Sequence, residues 1–161
     1  VGVACEVVVR PATAADRDLV LAWANDPVTR ARSFRLEEID PAAHDTWFAA
    51  RLADRHGRIW IGESAARPVG QVRVDGDPEG RGRVGITVAP EARGRGLAGP
   101  LLEAGMEAAT KELGVISFIA LVRPDNGISL RLFAAAGYVD EGPGAHAGVA
   151  CRVLVWAGDP A

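Results

Sequence analysis

The chain has 161 residues, 48% of them hydrophobic and 24% charged, with a formal net charge of −3. Its length suits one domain, residues 1–161, with a sizeable core, and its composition excludes a disordered or fibrous chain. The negative balance argues against a nucleic-acid partner or an acidic-membrane binder, and no apolar run approaches the roughly 18–20 residues of a membrane span.

Glu6-Val7-Val8-Val9-Arg10 is a β-branched run closed by Pro11, a first strand. Thr13 can cap a helix whose apolar positions Leu19, Val20 and Trp23 share a face, and Asn25-Asp26-Pro27 stops it. Val28 to Asp40 is mixed and reads as a loop or a short helical turn. Asp40-Pro41 opens a second helix, with proline at the first helical position. His44, Trp47, Phe48, Arg51 and Leu52 fall on one face of it before His56-Gly57. Arg58 to Glu63 and Val69 to Val74 read as two strands with a hairpin link, and Arg83 to Val88 as the next strand of an antiparallel meander.

A glycine-rich loop then leads into a helix from about Leu97 to Leu113, with Leu97, Leu101, Leu102, Met106 (or Gly105), Ala109 and Leu113 as its buried stripe. Val115 to Val122 is almost wholly apolar, the pattern of a central strand covered on both faces. Strand, helix and buried strand in that order suggest a right-handed crossover. The turn Pro124-Asp125-Asn126-Gly127 precedes a helix containing Ser129, Leu130, Leu132 and Phe133, ended by Gly137. Tyr138-Val139, a loop around His146 and Val149 to Trp156 close the chain with two strands. One α+β domain on a mixed sheet is expected. Cys5 and Cys151 have no metal-ligand spacing, so no metal is expected. As unpaired thiols they fit a reducing, cytoplasmic setting, for a monomer or homodimer.

The segment from Val84 through Ala98 carries the chemistry. It runs from a strand, through Arg93-Gly94-Arg95-Gly96, into a helix start. A helix N-terminus presents unpaired N–H groups and partial positive charge, and glycines let an anion approach the main chain. A phosphate-containing ligand is therefore expected between Arg93 and Ala98, with Arg81 and Arg83 adding local positive charge. Gly94, Gly96 and Gly99 also spell G-x-G-x-x-G. The dinucleotide fold that uses this fingerprint needs a tight turn before the first glycine and an acidic residue about 20 positions later. Here Ala89 to Arg93 intervene, and Val122-Arg123-Pro124 stands at the later position. No G-K-[ST] follows the glycines, which excludes a Walker loop.

Arg93-Gly94-Arg95-Gly96-Leu97-Ala98 after Val84 to Val88 resembles the R/Q-x-x-G-x-G/A motif of the GCN5-related N-acetyltransferases (GNAT). Asn126-Gly127-Ile128-Ser129 and Leu132 to Tyr138 follow in that family's order and are similar to its N-x-x-S and G-F/Y segment. The resemblance implies a mostly antiparallel sheet of about six or seven strands, helices on both faces, and a splay between strands 4 and 5. It implies acetyl-CoA in that splay, beside Ile86, Thr87 and Val88, with its pyrophosphate on the N–H groups of Gly94, Arg95, Gly96, Leu97 and Ala98. Arg93 would stay near the phosphates, and Arg95 would either join it or be solvated. Asn126 would bond pantetheine, or be only a turn residue; Ser129 would lie near the sulfur, or be a neutral helix residue.

The reaction implied is direct attack by an amine, with the Val88 N–H steadying the oxyanion. Where many relatives carry a tyrosine acid this chain has Phe133, and strand 4 has no carboxylate to act as base. Glu63, near the end of an earlier strand, would reach the amine through water or be a solvated carboxylate. Trp23 to Arg30, Ser33-Phe34 and His44 to Asp54 resemble the branch that acetylates nucleotide-linked amino sugars (pseudaminic-acid pathway type), with Ala24 in place of its usual arginine. That likeness places Asn25, Arg30, His44 and Trp47 at the acceptor, with Arg30, Arg32 and Arg35 neutralising a diphosphate. Ribosomal-protein N-terminal acetyltransferases have a similar Asn/Ser segment. Peptide N-termini, aminoglycosides and a non-catalytic CoA-binding role are the other readings. Acidic residues in the acceptor cleft would favour cationic acceptors, and arginines a sugar nucleotide.

Overall fold

Residues 6–158 are described by a computed structural model; Cys5 lies outside them. Seven strands form one sheet in the order β1-β2-β3-β4-β5-β7-β6. They are β1 (Val8–Pro11), β2 (Gly57–Ser64), β3 (Arg67–Gly76), β4 (Arg81–Val88), β5 (Ser117–Val122), β6 (Val139–His146) and β7 (Val149–Trp156). All neighbours pair antiparallel except β4 and β5, which are parallel. The parallel pair needs a crossover, which α4 (Ala98–Leu113) supplies. The sheet is thus the mixed, mostly antiparallel one expected.

Helix α4 packs on the face formed by Gly70, Val72 and Val74 of β3. Gly105 comes so close that a Cβ there would lie 2.6 Å from Val72 Cβ, and one at Gly62 would meet Leu101 at 2.3 Å. Trp60, Val72, Val74, Leu101 and Leu102 are fully buried between these layers. Trp60 Nε1 donates to Glu112 of α4 at 3.1 Å, so the indole N–H keeps a partner. The opposite face is covered by α1 (Arg17–Ala24), α2 (Pro27–Arg32) and α3 (Pro41–Ala53). Val20, Trp23 and Phe48 supply their buried side chains, and Ile59 and Ile61 those of β2. Asp26 and Asp40 cap α2 and α3, accepting from Thr29 N and Ala43 N, each ahead of a proline at the first position.

Val28 to Arg32 takes the short helical alternative, because the Asp26 cap and Pro27 start a helix immediately after the first ends. Two expectations change. β5 is not covered on both faces: Phe118, Ala120 and Val122 are buried while Ser117, Ile119 and Leu121 are partly open. The segment before His146 is not loop but β6, joined to β7 by Ala147 and Gly148 at φ 51° and 75°, a two-residue hairpin turn. Cys151 is a buried thiol. Helix α5 (Gly127–Ala135) packs on α4 and β5 and ends before Gly137, whose φ of 92° is the left-handed stop that glycine accepts.

Candidate active site

β4 and β5 part company early. They pair only over Arg81↔Ser117, Gly82↔Phe118 and Arg83↔Ile119, leaving Val84 to Val88 without a neighbour on that side. The β3–β4 ladder fixes which groups face the gap. Asp77 N donates to Arg81 O and Ala89 N to Val69 O, so the odd-numbered residues of β4 bond to β3. Alternation then turns the N–H and C=O groups of Ile86 and Val88 toward the gap.

Below the gap lies the glycine loop. Gly94 and Gly96 both have φ of 72°, and a Cβ on either would meet nothing within 4 Å, so the loop is left-handed and open above. Among the described residues no backbone carbonyl takes the N–H of Gly94, Arg95, Gly96 or Leu97. Helix α4 starts with Leu97 as its cap and no side-chain cap bond. Its first-turn donors are therefore available to an anion. The two loop arginines differ. Arg93 turns inward, its Nη2 2.6 Å from Asp26 Oδ2 and 3.1 Å from Thr29 Oγ1, and ties the loop to the start of α2. That bond, with those from Thr29, holds the Asp26 carboxyl below the usual carboxylate range. Arg95 is exposed and has no ion-pair partner among the described residues.

Across the gap, Asn126 caps α5: its Oδ1 accepts from Ser129 N at 3.2 Å. Its amide nitrogen and the Ser129 hydroxyl have no partner among the described residues. Phe133 is buried, edge-on to Tyr138 with centroids 4.9 Å apart. Tyr138, the chain's one tyrosine, sits in the core with its hydroxyl on Met106 Sδ at 3.3 Å, and burial pushes its pKa up. It offers the site no acid.

An open cleft of about 940 Å³ spans the α1–α3 side and the gap. Ile86, Thr87, Asn126, Ser129, Phe133, Arg30, His44 and Trp47 all line it. Asn25 and Glu63 do not. Asn25 instead clamps Ile39 through both directions, Nδ2 to Ile39 O at 3.0 Å and Ile39 N to Oδ1 at 2.8 Å. Glu63 accepts from Arg10 Nε at 2.8 Å, and Arg10 grips Asp16 through two more 2.8 Å bonds. Arg30 lines the cleft but spends its donors on the Ala24 and Arg35 carbonyls and Ser33 Oγ, holding the α2–α3 loop in shape. Phe34 of that loop meets His146 edge-on at 5.0 Å, and Arg123 reaches the Ala31 and Ser33 carbonyls at 3.2 and 3.1 Å. Those contacts bridge the loop to β5 and to the β6–β7 hairpin.

His44 is 2% exposed and stacks on Phe48, yet neither ring nitrogen has a partner. Burial lowers its pKa, so the imidazole is neutral at pH 7. On the sheet floor Gln71 and Arg73 of β3 and Arg83, Gly85 and Thr87 of β4 line the same cleft. Gln71 and Arg73 were not singled out from sequence. Their signal is the period-two run of polar residues Gln71, Arg73, Asp75, which marks a strand face that is not core. The cleft lining holds six arginines (30, 32, 35, 73, 83, 123) against three carboxylates (Glu37, Glu38, Asp40), in a chain of net charge −3.

No helix among the described residues is long and apolar enough to cross a membrane. The fold is similar to the spermidine N-acetyltransferase from Vibrio cholerae solved with CoA and spermine, at a TM-score of 0.80 and 18% identity over 93% of each chain. It is also similar to AAC(6')-Ib in complex with ribostamycin and coenzyme A, at 0.82 and 17% over 94% of this chain and 93% of that one. YncA from Salmonella typhimurium, with its cofactor acetyl-CoA, matches at 0.76 and 20% over 97% and 96%. No curated protein matches the sequence. The Acetyltransferase (GNAT) domain profile matches residues 6–139, most of the chain. The chain belongs to the GNAT acetyltransferase family.

Proposed function

We propose that the chain is an acetyl-CoA-dependent N-acetyltransferase whose acceptor is a primary amine on an anionic small molecule, a nucleotide-linked amino sugar. The donor side fits acetyl-CoA on two observations: an unpaired β4 edge at Ile86 and Val88, and an open glycine loop whose N–H groups have no backbone acceptor among the described residues. When bound, acetyl-CoA supplies an acetyl group activated as a thioester. Gly94 to Ala98 hold its pyrophosphate, with Arg95 as the free cation beside them, while Arg93 braces the loop from behind. Ile86 and Val88 would offer strand-like hydrogen bonds, and the Val88 N–H, turned toward the gap, would steady a carbonyl oxygen gaining charge. The Asn126 amide nitrogen and the Ser129 hydroxyl face the cleft from the start of α5. Phe133 closes the apolar wall there.

The single observation that carries the acceptor class is the arginine excess of the cleft. Polyamines and aminoglycosides are polycations and would be repelled by it. The imidazole of His44, neutral because burial lowers its pKa, adds no positive charge to the cleft wall. A sugar amine flanked by hydroxyls is less basic than lysine, which agrees with a β4 face that carries Arg83, Gly85 and Thr87 and no carboxylate. The test is acetyl-CoA-dependent thiol release with a UDP-amino sugar, a ribosomal N-terminal peptide, spermidine and an aminoglycoside. Turnover of the UDP-amino sugar is expected. Turnover of a polycation or the peptide with none of the sugar nucleotide overturns the acceptor class; tight CoA binding with no turnover of any supports the regulatory reading instead.

A further inference from the structure

Three guanidinium groups surround one carboxylate on the floor of the cleft. Asp75 accepts a 2.8 Å hydrogen bond from Arg51, lies 3.2 Å from Arg73 Nε and 3.6 Å from an Arg83 Nη. The Arg73 contact is misaligned, and that buried Nε–H has no hydrogen-bond partner among the described residues. Arg83 is beyond hydrogen-bond reach. Asp75 is thus shared by three cations, of which Arg51 also pairs with Asp54. Arg73 and Arg83 line the cleft with this one carboxylate between them as their ion-pair partner among the described residues.

The surroundings hold Arg73 in place without satisfying it. Its ladder partner on β4 is Gly85, where even a Cβ would stand 3.9 Å from Arg73 Nη2, so no side chain covers the guanidinium from that strand. Trp47 does cover it, with its ring centroid 5.4 Å from Arg73 Cζ. This cation–π contact fixes the plane of the fork but supplies no counter-charge. Burial pulls the Arg73 pKa down; Asp75 opposes that shift, and Arg83 and Arg51 add repulsion to it. The other cleft arginines differ. Arg30 is committed to carbonyls and Arg123 to Asp125 and carbonyls, while Arg32 and Arg35 stand at the exposed rim.

We infer that Arg73 and Arg83, with Trp47 as the positioning residue, form an anion subsite that takes the phosphate groups of a phosphorylated acceptor. Two adjacent forks match phosphate oxygens in bidentate fashion, which a lysine pair would not. The subsite stands apart from the glycine loop, whose donors are main-chain and lie at the start of α4. It rests on reading this cleft as the acceptor side.

The test is calorimetric titration of UDP into protein already saturated with CoA, so that the glycine loop is occupied and UDP reports the other site. CoA affinity is measured first in every variant. UDP is expected to bind, and Arg73→Gln and Arg83→Gln each to weaken it by about tenfold or more while leaving CoA affinity unchanged. Arg73→Lys, which keeps the charge but not the fork, should lose less. Arg58→Gln, on the opposite sheet face beside Glu112, should change nothing. Failure of UDP to bind the CoA complex, or equal affinity in all variants, overturns the subsite and leaves the donor reading intact. If CoA itself does not bind, the donor reading falls, and the same arginine series on unloaded protein still decides the subsite. Wild-type UDP affinity should also drop several-fold between low salt and about 0.3 M salt; salt-independent binding would overturn the assignment even if a variant failed to fold.

Discussion

In the proposed reading the groups that work around the gap between β4 and β5 are main-chain: the edges of Ile86 and Val88 and the N–H groups of Gly94 to Ala98. On the α1–α3 side they are the side chains of Trp47, Arg73 and Arg83. Main-chain donors are positioned by the fold itself, so their geometry survives many sequence changes provided the strand register and the left-handed glycines are kept. Side-chain donors are re-aimed by one substitution. One sheet can thus keep a constant donor side while its other face is refitted for a different acceptor.

The sharpest way to break the donor side is through packing rather than through the loop. Gly105→Val would drive branched carbons into Val72, a β-branched strand residue that cannot swing aside, with its Cβ already 2.6 Å from the position of a Cβ at 105. Overpacking of this kind costs about 1–3 kcal/mol and sometimes more. We expect a large fall in melting temperature and loss of CoA binding together, because α4 carries the anion-binding turn. A variant that melts normally would mean that α4 can slide on β3.

Next comes the loop alone. Gly96→Val sets a β-branched residue at φ of 72°, a strain of roughly 1–2 kcal/mol, but in open space where nothing is struck. The strain is relieved by moving the loop. We expect KM for acetyl-CoA to rise about tenfold with the acceptor KM unchanged. An equal rise in both would show that the two sides are not separable here.

On the acceptor side, His44→Leu should raise stability. Removing two buried, unpartnered ring nitrogens gains about 1–2 kcal/mol, which for a chain of this size raises the melting temperature by roughly 2–6 °C. The gain depends on pH. The folded pKa of His44 lies below the ordinary histidine value of about 6.5, so at lower pH the unfolded chain binds the proton more readily and the wild type loses stability. The Leu variant lacks that loss, so the difference widens as pH falls below about 6.5. A destabilised variant would show that the nitrogens have partners in solution.

The same contrast explains what the sequence could reveal. The succession of elements, the crossover, the glycine loop and the turn at Asn126 ahead of a helix are local patterns with fixed spacing, and all were legible. The roles of Arg93, Asn25 and Arg30 were not, since each depends on a contact elsewhere in the chain: Arg93 with Asp26, 67 residues away, Asn25 with Ile39, and Arg30 with the Arg35 carbonyl. Arginines near an anion site look alike in sequence whether they face the ligand or brace the loop. Arg73 was hidden differently. It sits in a run that reads as strand, and only the register with β4 and the approach of Trp47 reveal its open fork.

The smallest effect is expected at Glu63, and it bears on where the proton goes. Glu63 bonds Arg10, and Gln would keep an oxygen able to accept the same bond, so stability should hardly change. A general base contributes about 10²–10⁴ in rate, and its loss would also remove the acidic limb of the pH–rate profile. The carboxylate lies outside the cleft lining. We therefore expect the Glu63→Gln profile to superimpose on that of the parent within about twofold, with the acidic limb set by the acceptor amine itself. The discriminating comparison is across acceptors: a limb that moves with the pKa of the amine in both proteins assigns the proton to the substrate. A limb that vanishes in Glu63→Gln would return the base to β2 and require water to carry the proton from the cleft to the Arg10–Glu63 pair.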